Sequence, residues 1–264
     1  MPTKSKYDKK TPREHVLLRP DTYIGDIEKT SESMWVYNSE NNKILNKKIS
    51  YTPGFLKIFD EILVNARDAS ITDKNCDTID VVLDENFISL KNNGHIPVEE
   101  HETHKVMIPS MIFGEMLSGS NFDDNEKRTT GGRNGYGAKL TNIFSTEFNV
   151  EIGDSVNKKK FRQTWKENMK VIEKAKITNY SNKNNFVKIT FYPDFEKFGI
   201  KEKKLDNDHF KLFHRRTLDI LGCSSEKLKV TFNGKKVNIN SFKKYVELYY
   251  PDETIYFDDK SDRW

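Results

Sequence analysis

The chain predicts a two-layer α/β sandwich, in which a mixed and largely antiparallel sheet is backed by helices. Three observations carry this expectation. Phe55, Ile58, Phe59, Ile62, Leu63 and Ala66 recur at helical spacing, so a helix over 55–69 buries one face. Segments 148–152, 160–165, 186–192 and 228–232 read as short strands in the second half. Between these groups, Gly131, Gly132, Gly135 and Gly137 stand directly before a helical pattern at Leu140, Ile143 and Phe144.

In chain order, the lysine-rich first dozen residues read as an arm. A short helix over 14–18 stops at Arg19-Pro20-Asp21, because the residue before a proline is kept out of the helical region. Pro53-Gly54 punctuates the chain before the long helix. Strands over 79–83 and 87–90 flank an Asp84-Glu85-Asn86 turn, and Asn92-Asn93-Gly94 ends the second strand. A helix over 107–117 follows, then a loop over 118–128 rich in Ser, Asn and Asp. Beyond the strands lie a helix over 208–221, a hairpin-type turn at Asn233-Gly234 and a helix over 241–250. The acidic tail stops abruptly at Trp264, as a fragment would.

Length bounds the organisation: 264 residues hold one sizeable core and the start of a second. The charge of +4 is the small difference between 44 basic and 40 acidic residues, too little to indicate nucleic-acid binding by itself. Cys76 and Cys223 are far apart, which fits a reducing compartment, cytosolic or nuclear. No apolar run approaches the roughly 20 residues that span a bilayer, so no membrane partner is expected.

Three constellations carry chemistry. On the 55–69 helix, Lys57, Glu61, Asn65 and Asp68 fall at i, i+4, i+8 and i+11, in one stripe. On an isolated helix that stripe is a solvated face. The spacing also permits a carboxylate that takes a proton from water and, one turn on, an amide oxygen that ligates a hard cation such as Mg²⁺. Thr130 to Lys139 form the second constellation, four glycines in seven residues before a helix, which reads as a phosphate cradle or as a lid. It is not a P-loop, because Ala138-Lys139 stands where Lys and Ser/Thr are needed. The third, Lys91 to Pro97, ends a strand at Asn92, whose amide suits a purine edge; an ordinary Asn-Gly hairpin is the plainer alternative.

This order of motifs resembles the GHKL ATPases, and within them the ATPase region of eukaryotic-type DNA topoisomerase II. The similarity rests on Glu14 to Gly25, Met34-Trp35-Val36-Tyr37, Lys57 to Ala66 and Thr130 to Leu140, and runs from about Tyr7 to Trp264. It implies a Bergerat-type ATP site in which Glu61 polarises the attacking water, Asn65 ligates Mg²⁺, Asn92 lies at the adenine, and Asp68 is a further nucleotide-binding residue. It implies that Ser118, Ser120 and Asn121 contact ribose or phosphate. Gly132, Arg133, Asn134, Gly135, Tyr136, Gly137, Ala138 and Lys139 would hold the triphosphate, and Thr190 would support the adenine from the sheet. It further implies an N-terminal arm over 1–25, a GHKL domain over 26–234 and the start of a transducer domain over 235–264. ATP-induced self-dimerisation, a clamp around duplex DNA in the full-length enzyme, and work in the nucleus or at a viral replication site complete the expectation. A dimerisation module with little hydrolysis is the alternative.

The chain departs from the family's pattern in three places. Asn93-Gly94-His95-Ile96-Pro97 is one residue shorter than the family's turn and lacks its second glycine. Ala69 and Gly119 stand where the family has Asn and Ser. The family's transducer lysine is not in this chain. Weaker nucleotide binding and slow turnover by this chain alone are therefore expected.

Overall fold

The computed structural model describes residues 8–118, 130 and 135–254. Two short helices come first, α1 (Pro12–Leu18) and α2 (Pro20–Tyr23). Thr11 and Glu14 form a reciprocal capping box at the start of α1. Arg19 interrupts the pair, and Pro20 opens α2 at a first-turn position that needs no N–H. Arg13 anchors α1 by donating to the carbonyls of Asn168 (2.5 Å) and Glu167 (3.0 Å).

A two-stranded antiparallel ribbon follows, β1 (Thr30–Asn38) and β2 (Lys43–Tyr51), which the sequence did not announce. Only Val36 of β1 is buried, so the period-two alternation that would mark a strand is absent. The long helix α3 (Pro53–Thr72) extends past both predicted ends. Its N-cap Thr52 is held by tertiary bonds instead of a side-chain cap. The Thr52 N–H donates to Nε2 of the fully buried His209 (2.9 Å), and its hydroxyl donates to the Phe198 carbonyl.

Among the described residues the main sheet has nine strands. They are β3 (Thr78–Leu83), β4 (Ile88–Asn92), β5 (Ser145–Asp154), β6 (Lys159–Lys166), β7 (Val171–Ile172), β8 (Lys176–Asn179), β9 (Phe186–Pro193), β10 (Lys229–Phe232) and β11 (Lys235–Lys236). Their order is β11-β10-β3-β4-β9-β5-β6-β7, with β8 also on β6. The β10–β3 pair is parallel and the others are antiparallel, giving the mixed, largely antiparallel sheet expected. Helices α4 (Ile108–Gly114), α5 (Gly137–Ile143), α6 (Asn207–Gly222) and α7 (Phe242–Glu247) complete the elements.

One face of the sheet and the helices share the core. Phe59 and Phe213 stack at 4.3 Å between α3 and α6, and Phe55 packs against Phe195, Phe198 and Phe213. Asn233 (φ 46°) and Gly234 (φ 75°) form the expected hairpin turn, in the left-handed geometry that an Asn-Gly pair accepts. The domain boundary expected at 235 falls in this hairpin. β11 continues the same sheet, and Ile239 and Leu248 are buried in the same core.

Candidate functional site

A cavity of about 680 Å³ opens between α3, the turn into α5 and the ends of β4 and β9. Glu61, Asn65, Asp68 and Ala69 of α3 line one wall, so the polar stripe faces the cavity and not solvent. Leu90, Val187 and Ile189 form the floor, and Ile112 and Phe113 of α4 add a further apolar wall. Such a cleft, with an apolar floor and convergent polar groups, suits a small polar ligand.

At one end α5 approaches α3 closely. A Cβ on Gly137 would lie 2.2 Å from Glu61 Oε2, so only glycine allows the carboxylate to sit against this turn. The approach is locked by Thr141, whose buried hydroxyl donates to the Ile58 carbonyl at 2.9 Å. Glu61 Oε1 is paired with Lys57 one turn earlier, which leaves Oε2 on the side of the Gly137 turn.

Lys139 points its ammonium into the same region. Only 3% of the residue is exposed, and Nζ donates to the Ser118 carbonyl and to the Gly135 carbonyl at 2.7 Å. Burial pushes its pKa down to about 8, against a smaller upward pull from Glu115. A buried cation bonded to neutral carbonyls at a cavity wall is suited to an anion. Gly135 has φ 64°, a conformation that favours glycine, and its carbonyl is thereby one of the two oxygens that hold Lys139.

At the other end β4 stops at Asn92. Its Oδ1 accepts the Gly94 N–H at 2.9 Å and closes a local turn, so the expected hairpin alternative is not what forms here. The Asn92 amide nitrogen is left as the donor of that side chain. Asn93 plays a different part, accepting from the Asp77 and Thr78 N–H groups and donating to the Asn75 carbonyl and Asp77 Oδ1. Burial pushes the adjacent Cys76 thiol up to about 11, with Asp73 adding to the rise, so it behaves as an apolar group.

The structure brings Glu61, Asn65, Asp68, Asn92, Ser118, Gly135, Tyr136, Gly137, Ala138 and Lys139 around one cavity. Ser118 lines it differently from the expectation. Its hydroxyl turns to the Met111 and Glu115 carbonyls at the end of α4, and its own carbonyl receives Lys139. Ser120, Asn121, Gly132, Arg133 and Asn134 lie outside the described residues, as does Gly119.

Thr190 is a correction. Successive residues of a strand face opposite sides, so Val187 and Ile189 point to the cavity and Thr190 to the open face of the sheet. There its hydroxyl bonds Ser89 Oγ at 3.0 Å. Counting alternation from the buried Phe191 would have assigned the floor to Val187 and Ile189. Thr22, Tyr23, His95 and Ile96 also line the cavity, and the sequence reading did not assign them.

No family model matches the chain. In the ATPase region of Saccharomyces cerevisiae topoisomerase II, a solved structure superposes with a TM-score of 0.90 at 46% identity, over 93% of this chain and 65% of that one. The chain is homologous to the ATPase region of eukaryotic DNA topoisomerase II. The topoisomerase II ATPase and transducer domains of Balamuthia mandrillaris give a TM-score of 0.89 at 46% identity, over 93% of this chain and 64% of that one. Among curated topoisomerase II sequences, a probable DNA topoisomerase 2 of Dictyostelium discoideum is 48% identical over 98% of the chain, and mouse DNA topoisomerase 2-beta is 50% identical over 94%. The chain spans 17% and 15% of the lengths of these two topoisomerases. The α/β topology described above is thus that of the topoisomerase II ATPase region.

Proposed function

We propose that this chain binds ATP with Mg²⁺ in the cavity and hydrolyses it, as the ATPase gate of a type II DNA topoisomerase. The observation that carries the reading is the meeting of Glu61 with Gly137 beside the buried ammonium of Lys139. A general base, a close backbone approach and a buried cation held by two carbonyls are thereby gathered in one cleft.

The residues present fit the ligands. Lys139 supplies positive charge for phosphate, while Asn92 at the far end supplies a donor for a base. Among the described residues no group of three or more His, Cys, Asp or Glu could hold a metal. A cation would take Asn65 as its protein ligand and phosphate oxygens and water for the rest, as Mg²⁺ commonly does. When bound it supplies charge neutralisation to the phosphates. Glu61, with Oε2 facing the Gly137 turn, accepts a proton from the attacking water. Lys57 holds the other oxygen and so orients the carboxylate. Apolar walls at Ile112, Val187 and Ile189 hold the base in a dry slot.

In the whole protein the gate closes as an ATP-induced dimer of this chain and drives passage of one DNA duplex through another. The arm around Tyr7 to Arg13 then crosses to the second subunit, and the residues after 234, which continue the same sheet and core, lead into a transducer domain. We place this work in the nucleus, or at a replication site if the source is a DNA virus. A second reading, dimerisation with little hydrolysis, is favoured by the Lys57 pairing that engages one oxygen of Glu61. Binding of a non-hydrolysable ATP analogue, read as affinity and molecular mass, tests the shared part. Steady-state ATPase with E61A separates the two, since only the enzyme has a glutamate-dependent rate. Absence of saturable binding sinks both.

A further inference from the structure

His95 stands in the turn after β4 and lines the base end of the cavity with Asn92 and Gly94. The ring is held. Its Nε2 lies 3.1 Å from Oδ1 of Asp154, whose side chain is fully buried while that of His95 is 31% exposed. Asp154 is the anchor of the whole turn. It also accepts from the N–H groups of Val98 (2.8 Å), Val156 (2.9 Å) and Asn157 (3.0 Å), and from the Asn157 amide (2.8 Å).

Burial by itself would raise the pKa of Asp154, but the hydrogen bonds from Val98, Asn157 and His95 outweigh it and bring the value down to about 2. The carboxylate is therefore ionised at neutral pH and can only accept. Nε2 must then carry the hydrogen, and in the neutral ring Nδ1 is left as an acceptor. Asn92 is committed in the opposite sense, because its oxygen is taken by the Gly94 N–H and its amide nitrogen remains to donate.

We infer that His95 is a specificity-determining residue of this cavity, reading the edge of the base as an acceptor beside the Asn92 donor, and that Asp154 is the positioning residue that sets its tautomer. The inference rests on the nucleotide reading proposed above. A donor on Asn92 and an acceptor on His95, on one turn of the same cavity, match the N1 and N6-amino edge of adenine. In the same pose guanine brings an oxygen against the His95 acceptor and a ring N–H against the Asn92 donor.

The test compares binding of non-hydrolysable ATP and GTP analogues with Mg²⁺ to the unaltered protein, H95A and H95N, together with the ¹⁵N resonance of His95 Nδ1. The expected result is a preference for the adenine analogue that falls about tenfold in H95A, the scale of one lost hydrogen bond. H95N, which retains an acceptor, recovers part of it, and Nδ1 shifts when the adenine analogue is added. An unaltered preference in H95A together with an unmoved Nδ1 resonance overturns the inference while leaving nucleotide binding intact. If the unaltered protein binds neither analogue, the nucleotide reading itself fails and this inference falls with it. Should H95A not fold, the Nδ1 resonance of the unaltered protein decides alone.

Discussion

Gly137→Ala isolates the contact on which the proposed chemistry depends. The added methyl carbon would lie 2.2 Å from Glu61 Oε2 and 3.1 Å from Cδ, so the two groups cannot both stay. Helix α5 is the stiffer partner, because Thr141 bonds the Ile58 carbonyl at 2.9 Å and Asn142 bonds the Phe113 carbonyl at 3.0 Å from buried positions. The flexible end of Glu61 therefore swings away. An off-rotamer side chain costs about 0.5–1.5 kcal/mol, and replacing a helical glycine by alanine returns about 0.5–1 kcal/mol. Net stability should change by less than about 1 kcal/mol, because the two effects oppose each other. Hydrolysis is different, since displacing a positioned general base costs about 10²–10⁴-fold in rate. Single-turnover hydrolysis of γ-labelled ATP at saturating protein resolves slow rates, and thermal melting reports stability. A variant that melts within a few degrees of the unaltered protein, binds the analogue within a few-fold and hydrolyses about a hundredfold more slowly agrees with the geometry. Full hydrolytic rate in a folded Gly137→Ala protein refutes it.

Three further outcomes follow from the same structure. K139M should weaken binding of the ATP analogue at least tenfold, the scale of a lost charge-assisted hydrogen bond. In the unaltered protein affinity should fall as pH rises above about 8, where the buried Lys139 loses its proton, and K139M should remove that dependence; titration calorimetry from pH 7 to 9.5 checks both. T190V should leave affinity within about twofold, because this hydroxyl serves Ser89 on the far side of the sheet, whereas V187D should abolish binding by placing a charge in the floor. A result in the reverse order would mean that the strand faces are misassigned. His214 is stacked on Phe232 at 3.7 Å, and burial pushes its pKa down to about 4. Between about 6.5 and 4 the unfolded chain binds the extra proton, so stability declines as pH falls through that window, and H214F should flatten this part of a denaturation series.

Much of the fold and part of the site are legible in the residues alone, for reasons that differ by element. Helix α3 announces itself because burial of one face forces apolar residues to recur at 3.6-residue spacing, and Glu61, Asn65 and Asp68 then share a stripe by geometry. Gly137 marks a place where backbone must come close to another group, and Gly135 one where the chain takes a left-handed turn. The β1–β2 ribbon escapes notice because it is exposed on most sides and carries no alternation to read.

What sequence could not decide is which side of a polar stripe meets solvent and which side of a strand meets the ligand. Thr190 is a site residue by resemblance, and the packing of Phe191, Ile189 and Val187 under the helices sends it to the opposite face. Lys139 is assigned to phosphate by family resemblance, but that its ammonium is buried against the Ser118 and Gly135 carbonyls is decided by the fold. His95 and Asp154, 59 residues apart in the chain, become a pair solely because β5 ends beside the turn that follows β4. Local pattern determines elements, since period and turn chemistry are properties of neighbouring residues. Partnership between distant side chains, and the donor or acceptor sense it imposes on each, is created only when the sheet and its helices close around one another.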